Sequence, residues 1–171
     1  MKIPVQPLPH DTHSYLQQVL GLFCTSLQQM LGEHAASFVT MVSQQLAEQL
    51  NLHYQHAFGV SQLSRAQLKL VLDDFKTRIG ADFFIIDEHE YGITLGNRQC
   101  PFGESVQKNP ALCQLTSNLL GIISAENLGY ANVVLDQTMA EGHPMCMIRI
   151  IFLPQEEEAH GLEYFATPRP L

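Results

Sequence analysis

Phe83-Phe84-Ile85-Ile86-Asp87-Glu88-His89-Glu90-Tyr91-Gly92-Ile93-Thr94-Leu95 is the stretch at which this chain changes its period. Two runs rich in β-branched and aromatic residues, 83–87 and 91–95, flank the polar segment Glu88-His89-Glu90, and that arrangement predicts a β-hairpin. Immediately before it the pattern is helical. Ser64 stands as an N-cap with Gln67 three residues on, and Leu63 and Leu68 are placed to pack as a hydrophobic staple. Leu68, Val71, Leu72, Phe75 and Ile79 then form one apolar face, and Gly80 supplies a left-handed exit. Two earlier stretches, Ser14 to Leu31 and Ala35 to about Leu50, also carry apolar residues at helical spacing. They predict a helical hairpin whose apolar faces either cover the chain's own core or build a homodimer interface.

On the other side of the hairpin, Asn109-Pro110 predicts a helix start, with Asn109 as the capping acceptor and Pro110 in the first turn. That helix runs to about Asn127 and is stopped by Gly129, and Gly121 within it suits close approach of another backbone. A second hairpin follows, with strands from Ala131 to about Met139 and from Met145 to Leu153 joined through Glu141-Gly142-His143-Pro144. The density of apolar residues in 145–152 places that strand centrally in the sheet. Pro154 ends it, and Glu156-Glu157-Glu158 opens a solvated acidic tail in which Leu162, Tyr164 and Phe165 could dock a short extra element. The order α-α-α-β-β-α-β-β is α+β: N-terminal helices followed by a ββαββ unit, forming a small antiparallel sheet packed against helices. The expected organisation is one domain, with a helical part at 14–80, a ββαββ core at 81–153 and a tail at 154–171.

Composition narrows the function classes. The 171 residues are 46% hydrophobic, and 15% are charged, against the roughly 25% usual for soluble domains. Nine basic against seventeen acidic side chains give a net charge of −8, which repels phosphate backbones and disfavours direct nucleic-acid binding. Pro4, Pro7 and Pro9 interrupt the N-terminus where a signal peptide needs an apolar run, and no stretch reaches the 18 residues of a membrane span. Four cysteines without a leader suit a reduced, cytoplasmic setting.

Three of those cysteines stand at element boundaries: Cys100 after a strand, Cys113 in the first turns of a helix, and Cys146 near a strand start. Boundaries of this kind can converge in space, and the helix N-terminus is expected to lower the pKa of Cys113. The alternative is three small apolar core residues, the reading that also fits Cys24. No Cys-x-x-Cys exists, which disfavours structural zinc. His143, three residues before Cys146, is the candidate fourth ligand against the simpler reading of a solvated turn histidine. His10 with His13, and His53 with His56, have a spacing that could bind a metal if helical. Arg149 must face solvent, pair with Glu126 or Asp136, or meet an anion. No hydrolase elbow, phosphate loop, dinucleotide fingerprint or His-Glu-x-x-His motif is present. A cysteine hydrolase built from Cys113 with His89 or His143 as base stays open, because such groups meet in space rather than in sequence.

The segments Asn97-Arg98-Gln99-Cys100-Pro101-Phe102-Gly103, Asn109-Pro110-Ala111-Leu112-Cys113-Gln114-Leu115-Thr116, Gly121-Ile122-Ile123-Ser124-Ala125 and Glu141-Gly142-His143-Pro144-Met145-Cys146 together resemble the sensory family called methanogen output domain 1. That family looks related to vinyl-reductase-like ligand-binding modules and is similar to the cysteine-containing sensing half of Suf-type iron–sulfur repressors. The resemblance spans about residues 14–153 and is most specific over 97–153. It implies a stand-alone sensory or regulatory domain in which Cys100, Cys113 and Cys146 are candidate ligands of an iron–sulfur cluster, three thiolates leaving one iron open to a fourth ligand. No helix-turn-helix precedes the module, so regulation would pass through a protein partner of a signalling or transcriptional system. The same fold could instead hold a small organic molecule in an apolar pocket lined by the cysteines.

Overall fold

The computed structural model describes residues 11–154 and 160–168. Its elements are α1 (Thr12–Leu31), α2 (His34–Phe58), α3 (Arg65–Ile79), β1 (Phe83–His89), β2 (Gly92–Asn97), α4 (Ser105–Lys108), α5 (Ala111–Leu128), β3 (Tyr130–Gln137), a 3-10 turn at Met139–Glu141, β4 (Cys146–Ile151) and β5 (Leu162–Phe165). The five strands pair antiparallel in the order β1-β2-β4-β3-β5. The class is therefore the α+β architecture expected. Strand β4 is central, between β2 and β3, as its apolar density requires. The tail residues Leu162, Tyr164 and Phe165 do form an element, adding β5 to the β3 edge.

Helix α5 lies between the sheet and α2, giving three layers. Its sheet-facing residues Leu120 and Ala125 join Phe83, Ile93, Leu95, Val133, Ile148 and Ile150 in the main core. A second cluster of Tyr54, Leu63, Leu68 and Val71 fills the corner between α2 and α3. The α3 capping box is complete, Ser64 accepting from the Gln67 amide and Gln67 returning the bond to the Ser64 amide, and both staple leucines are buried. At Gly121 a Cβ would sit 2.2 Å from the Tyr164 ring, so what this glycine admits is the aromatic side chain of β5 against α5 and not, as expected, another backbone.

Three boundaries differ from expectation. Helix α2 runs eight residues past Leu50 to Phe58 and stops at Gly59 in the left-handed region. His53 and His56 therefore lie in its last turns rather than in a weakly structured stretch. Strand β1 extends to His89, so Glu88 and His89 of the polar segment are strand and the turn is Glu90-Tyr91. Asn109 does not cap α5: its side chain accepts from Thr25 Oγ1 (3.0 Å) and donates to the Ser105 carbonyl (3.2 Å), tying α1 and α4 together. Of the two alternatives open for the apolar stripe of α1, the structure excludes cover of the chain's own core, since the stripe faces outward with Tyr15, Leu16, Val19, Leu22, Phe23 and Met30 exposed. His10 and Glu156-Glu157-Glu158 lie outside the described residues.

The buried polar groups explain how α5 is pinned. Asn127 Oδ1 accepts from the Leu63 amide (2.7 Å) and Gln55 Nε2 (3.2 Å), while its Nδ2 donates to Asn51 Oδ1 (2.6 Å) and the Ile123 carbonyl (2.8 Å). One side chain thus joins α2, the start of α3 and α5. Buried groups left unpaired cost about 1–3 kcal/mol each, so Asn127→Ala, which strands the Leu63 amide, Gln55 and Asn51 together, is expected to lower stability by about 3 kcal/mol. Urea unfolding measures this, and a loss below about 1 kcal/mol would mean that water takes over the network.

Candidate functional site

Three elements bring the thiols together. Asn97 ends β2 buried, and its Oδ1 accepts from the amides of Asp82 (3.0 Å) and Gln99 (3.3 Å), which fixes where the chain leaves the sheet. The next residues turn at once, the Gly103 amide bonding the Cys100 carbonyl at 3.1 Å. Helix α1 braces this loop through Gln17 Nε2 donating to the Pro101 carbonyl at 2.8 Å. Cys113 is the third residue of α5 and Cys146 the first of β4, on the same face of the strand as Ile148 and Ile150. All three line one cavity of about 30 Å³, together with Phe83, Asn97, Pro101, Phe102, Thr116, Ser117, Leu135, Thr138 and Ile148. Cys24, on α1, is elsewhere and half-buried.

Burial governs the chemistry of these thiols. It pushes Cys100, Cys113 and Cys146 above the ordinary thiol value, with each of Cys100 and Cys113 raised further by the sulfurs beside it. The amides of Phe102 and Gly103 partly offset the effect at Cys100, and the Met139 amide, 3.4 Å from the Cys146 sulfur, does so there. Cys113 receives no such bond and also feels Glu141, so it is pushed up to about 12. This corrects the expected lowering at the helix N-terminus, because loss of water outweighs a partial dipole charge. At neutral pH the pocket holds three protonated thiols.

The donor chemistry is soft, the kind that suits iron–sulfur clusters. Among the described residues, no group of three or more His, Cys, Asp or Glu was found placed to hold a metal ion. His143 is exposed in the turn between the 3-10 segment and β4, and His89 is exposed at the end of β1. No histidine is among the residues lining the cavity. His13 bonds Gln17 on α1, and His53 stacks edge-on against Tyr54. Arg149 pairs with Asp136 at 2.8 Å.

Two residues of the pocket were not evident from the sequence. Thr138 is buried, caps the 3-10 turn by accepting from the Glu141 amide (3.2 Å), and donates to the Glu141 carboxylate (2.9 Å). Thr138-Met139-Ala140-Glu141 is a capping-box signature, and it was the available signal. Asn97 carried none, since its role depends on where Asp82 and Gln99 meet it.

The family described as methanogen output domain 1 matches residues 19–151, more than three quarters of the chain. No curated protein matches. Among solved structures the fold is similar to a trafficking protein particle complex subunit 3 from Naegleria fowleri covalently bound to palmitic acid. The TM-score is 0.53 at 12% identity, over 80% of this chain and 95% of that one. That likeness is one of fold.

Between pH 9 and 12 the folded state keeps the Cys113 proton that the unfolded chain releases. The contribution is fully present below pH 9 and is lost as the pH rises through that window. Urea midpoints at pH 8 and 10.5 should therefore fall less steeply for Cys113→Ala than for the native chain. Equal slopes would show that Cys113 titrates like an exposed thiol.

Proposed function

Because this chain belongs to the methanogen output domain 1 family, we propose that it is a signalling module whose input enters at the pocket of Cys100, Cys113 and Cys146 and whose output passes to a protein partner. The supporting observation is that three cysteines from a loop, a helix and a strand line one apolar cavity, where Cys100 and Cys113 are each raised further by neighbouring sulfur. A structural role would need no such grouping. Neutral thiols among Phe83, Leu135 and Ile148 favour a small apolar or thiol-reactive ligand. The cavity of about 30 Å³ admits roughly two waters unexpanded, so an occupant must move α5 or the Cys100 loop, and that movement is the signal.

A second form of the reading rests on the softness of the three donors. Here Cys100, Cys113 and Cys146 would ligate an iron–sulfur cluster, with His143 as candidate fourth ligand; when bound, the group supplies redox chemistry. The chain's own part is to give up three thiol protons and draw the loop, the helix end and the strand start inward. Anaerobic incubation with iron and sulfide decides between the forms. Visible absorption lost in Cys113→Ser supports the cluster. A colourless protein whose three thiols are protected together by a small electrophile supports the ligand form. A colourless protein whose thiols react independently and without effect on its stability removes the pocket from the function.

The outward face of α1 supports a homodimer as the assembly in which the module works. Tyr15, Leu16, Val19, Leu22, Phe23 and Met30 share one side of the helix, Met30 being 81% exposed. No Asp, Glu, Lys or Arg occurs between Thr12 and Leu31. A second copy meets no like-charge repulsion there although the chain carries −8. Light scattering at about 100 µM is expected to give twice the chain mass, and Phe23→Glu with Leu22→Glu the single mass. A native chain that stays monomeric would overturn the assembly.

A further inference from the structure

A separate cleft opens between α3 and the C-terminal half of α5, over the ends of β2 and β4. Its walls are apolar, with Leu68, Leu72 and Phe75 on one side and Leu119 and Ile123 on the other. None of the cysteines lines it. Two cations stand among its lining residues, Arg65 and Lys69.

Arg65 is held firmly. Nη1 donates to the Glu90 carbonyl (2.7 Å), Nη2 to the carbonyls of His89 and Gly92, and the guanidinium carbon lies 5.1 Å from the centre of the Phe152 ring. These bonds tie the start of α3 to the β1–β2 turn. They leave the Nε–H, which is buried and has no partner. A charged donor buried without an acceptor is costly. Nearby, Lys69 lies 3.0 Å and Arg65 3.7 Å from the same carboxylate, Glu88. Two positive charges thus share one negative charge beside an apolar cleft, in a chain whose net charge is −8.

The width of the cleft limits what can enter. Its cavity is about 20 Å³, whereas a cavity that takes a benzene ring is about 150 Å³. Any occupant must therefore displace wall side chains such as Leu72 and Phe75, and the least displacement is asked by the smallest cross-section, that of a single unbranched chain. We propose that this cleft binds an unbranched aliphatic monocarboxylate, its carboxylate accepting from Arg65 Nε and lying beside Lys69, its chain running between α3 and α5. The site is independent of the thiol pocket.

Octanoate, octanol and octylamine, of equal chain length, test the head group by thermal unfolding of the native chain. Octanoate at ten times its dissociation constant is expected to raise the midpoint by about 4 °C, octanol less, and octylamine not at all. Lys69→Gln is expected to weaken octanoate about fivefold. Leu72→Phe and Ile123→Phe, which fill the cleft from opposite walls, should each abolish the shift. Replacing Cys100, Cys113 and Cys146 together by Ser should leave it intact, so that failure of this site and failure of the thiol pocket are told apart. Equal shifts from all three probes, or none from octanoate, would overturn the proposal.

Discussion

The constraint on which this structure depends is that α5 has no face to give to water. Nine of its residues are buried, among them Leu112, Leu119, Leu120, Gly121, Ala125 and Asn127. A helix of this kind must be covered on both sides, and it is, by the sheet on one and α2 on the other. Everything else follows from supplying those covers. The ββαββ unit presents Ile93, Leu95, Val133, Ile148 and Ile150 to one side of α5, and α2 brings Ser43, Ala47 and Asn51 to the other, small enough for close approach. Asn118 and Asn127 then make the second contact specific, Asn118 donating to Ser43 Oγ (3.2 Å) while accepting from Tyr164 (2.7 Å). Apolar burial holds the layers together, and the buried amides set their register.

The same burial sets the character of the thiol pocket. A helix N-terminus is by itself a place for a thiolate, but Cys113 sits where the sheet, the Cys100 loop and the 3-10 turn have removed the water that would stabilise the charge. Desolvation is the first cause at all three sulfurs, and proximity adds to it. Burial therefore favours the neutral form of each thiol, Cys113 most of all.

Much of this was legible in the sequence because it is local. The α3 capping box, the Gly80 and Gly129 exits, the central place of β4 and the boundary positions of the three cysteines all depend on a few adjacent residues. What was not legible is contact between distant parts. Asn109 reads as a cap beside Pro110, yet Thr25, 84 residues away, claims its side chain. The stripe on α1 leaves core face and interface both open, because periodicity states that a helix has an apolar side, not which way the side turns. It is the opposite side, with Gly21 against Ser105, that packs inward. The lowered pKa expected at Cys113 failed for a related reason: a dipole belongs to one helix, whereas burial is the work of the whole fold.

The brace between α1 and the Cys100 loop has a consequence for the order of assembly. Gln17 reaches Pro101 across 84 positions, and Thr25 reaches Asn109 across the same separation. Contacts between such distant segments form late, after local hairpins and helices, because a long loop must first be closed. In refolding, then, the wall that carries Cys100 is fixed only once a long loop has closed, as are the α2–α5 contacts, whose separations of 72 to 76 positions are similar. The loop that holds Cys100 is set by a distant helix and not by its neighbours in the chain.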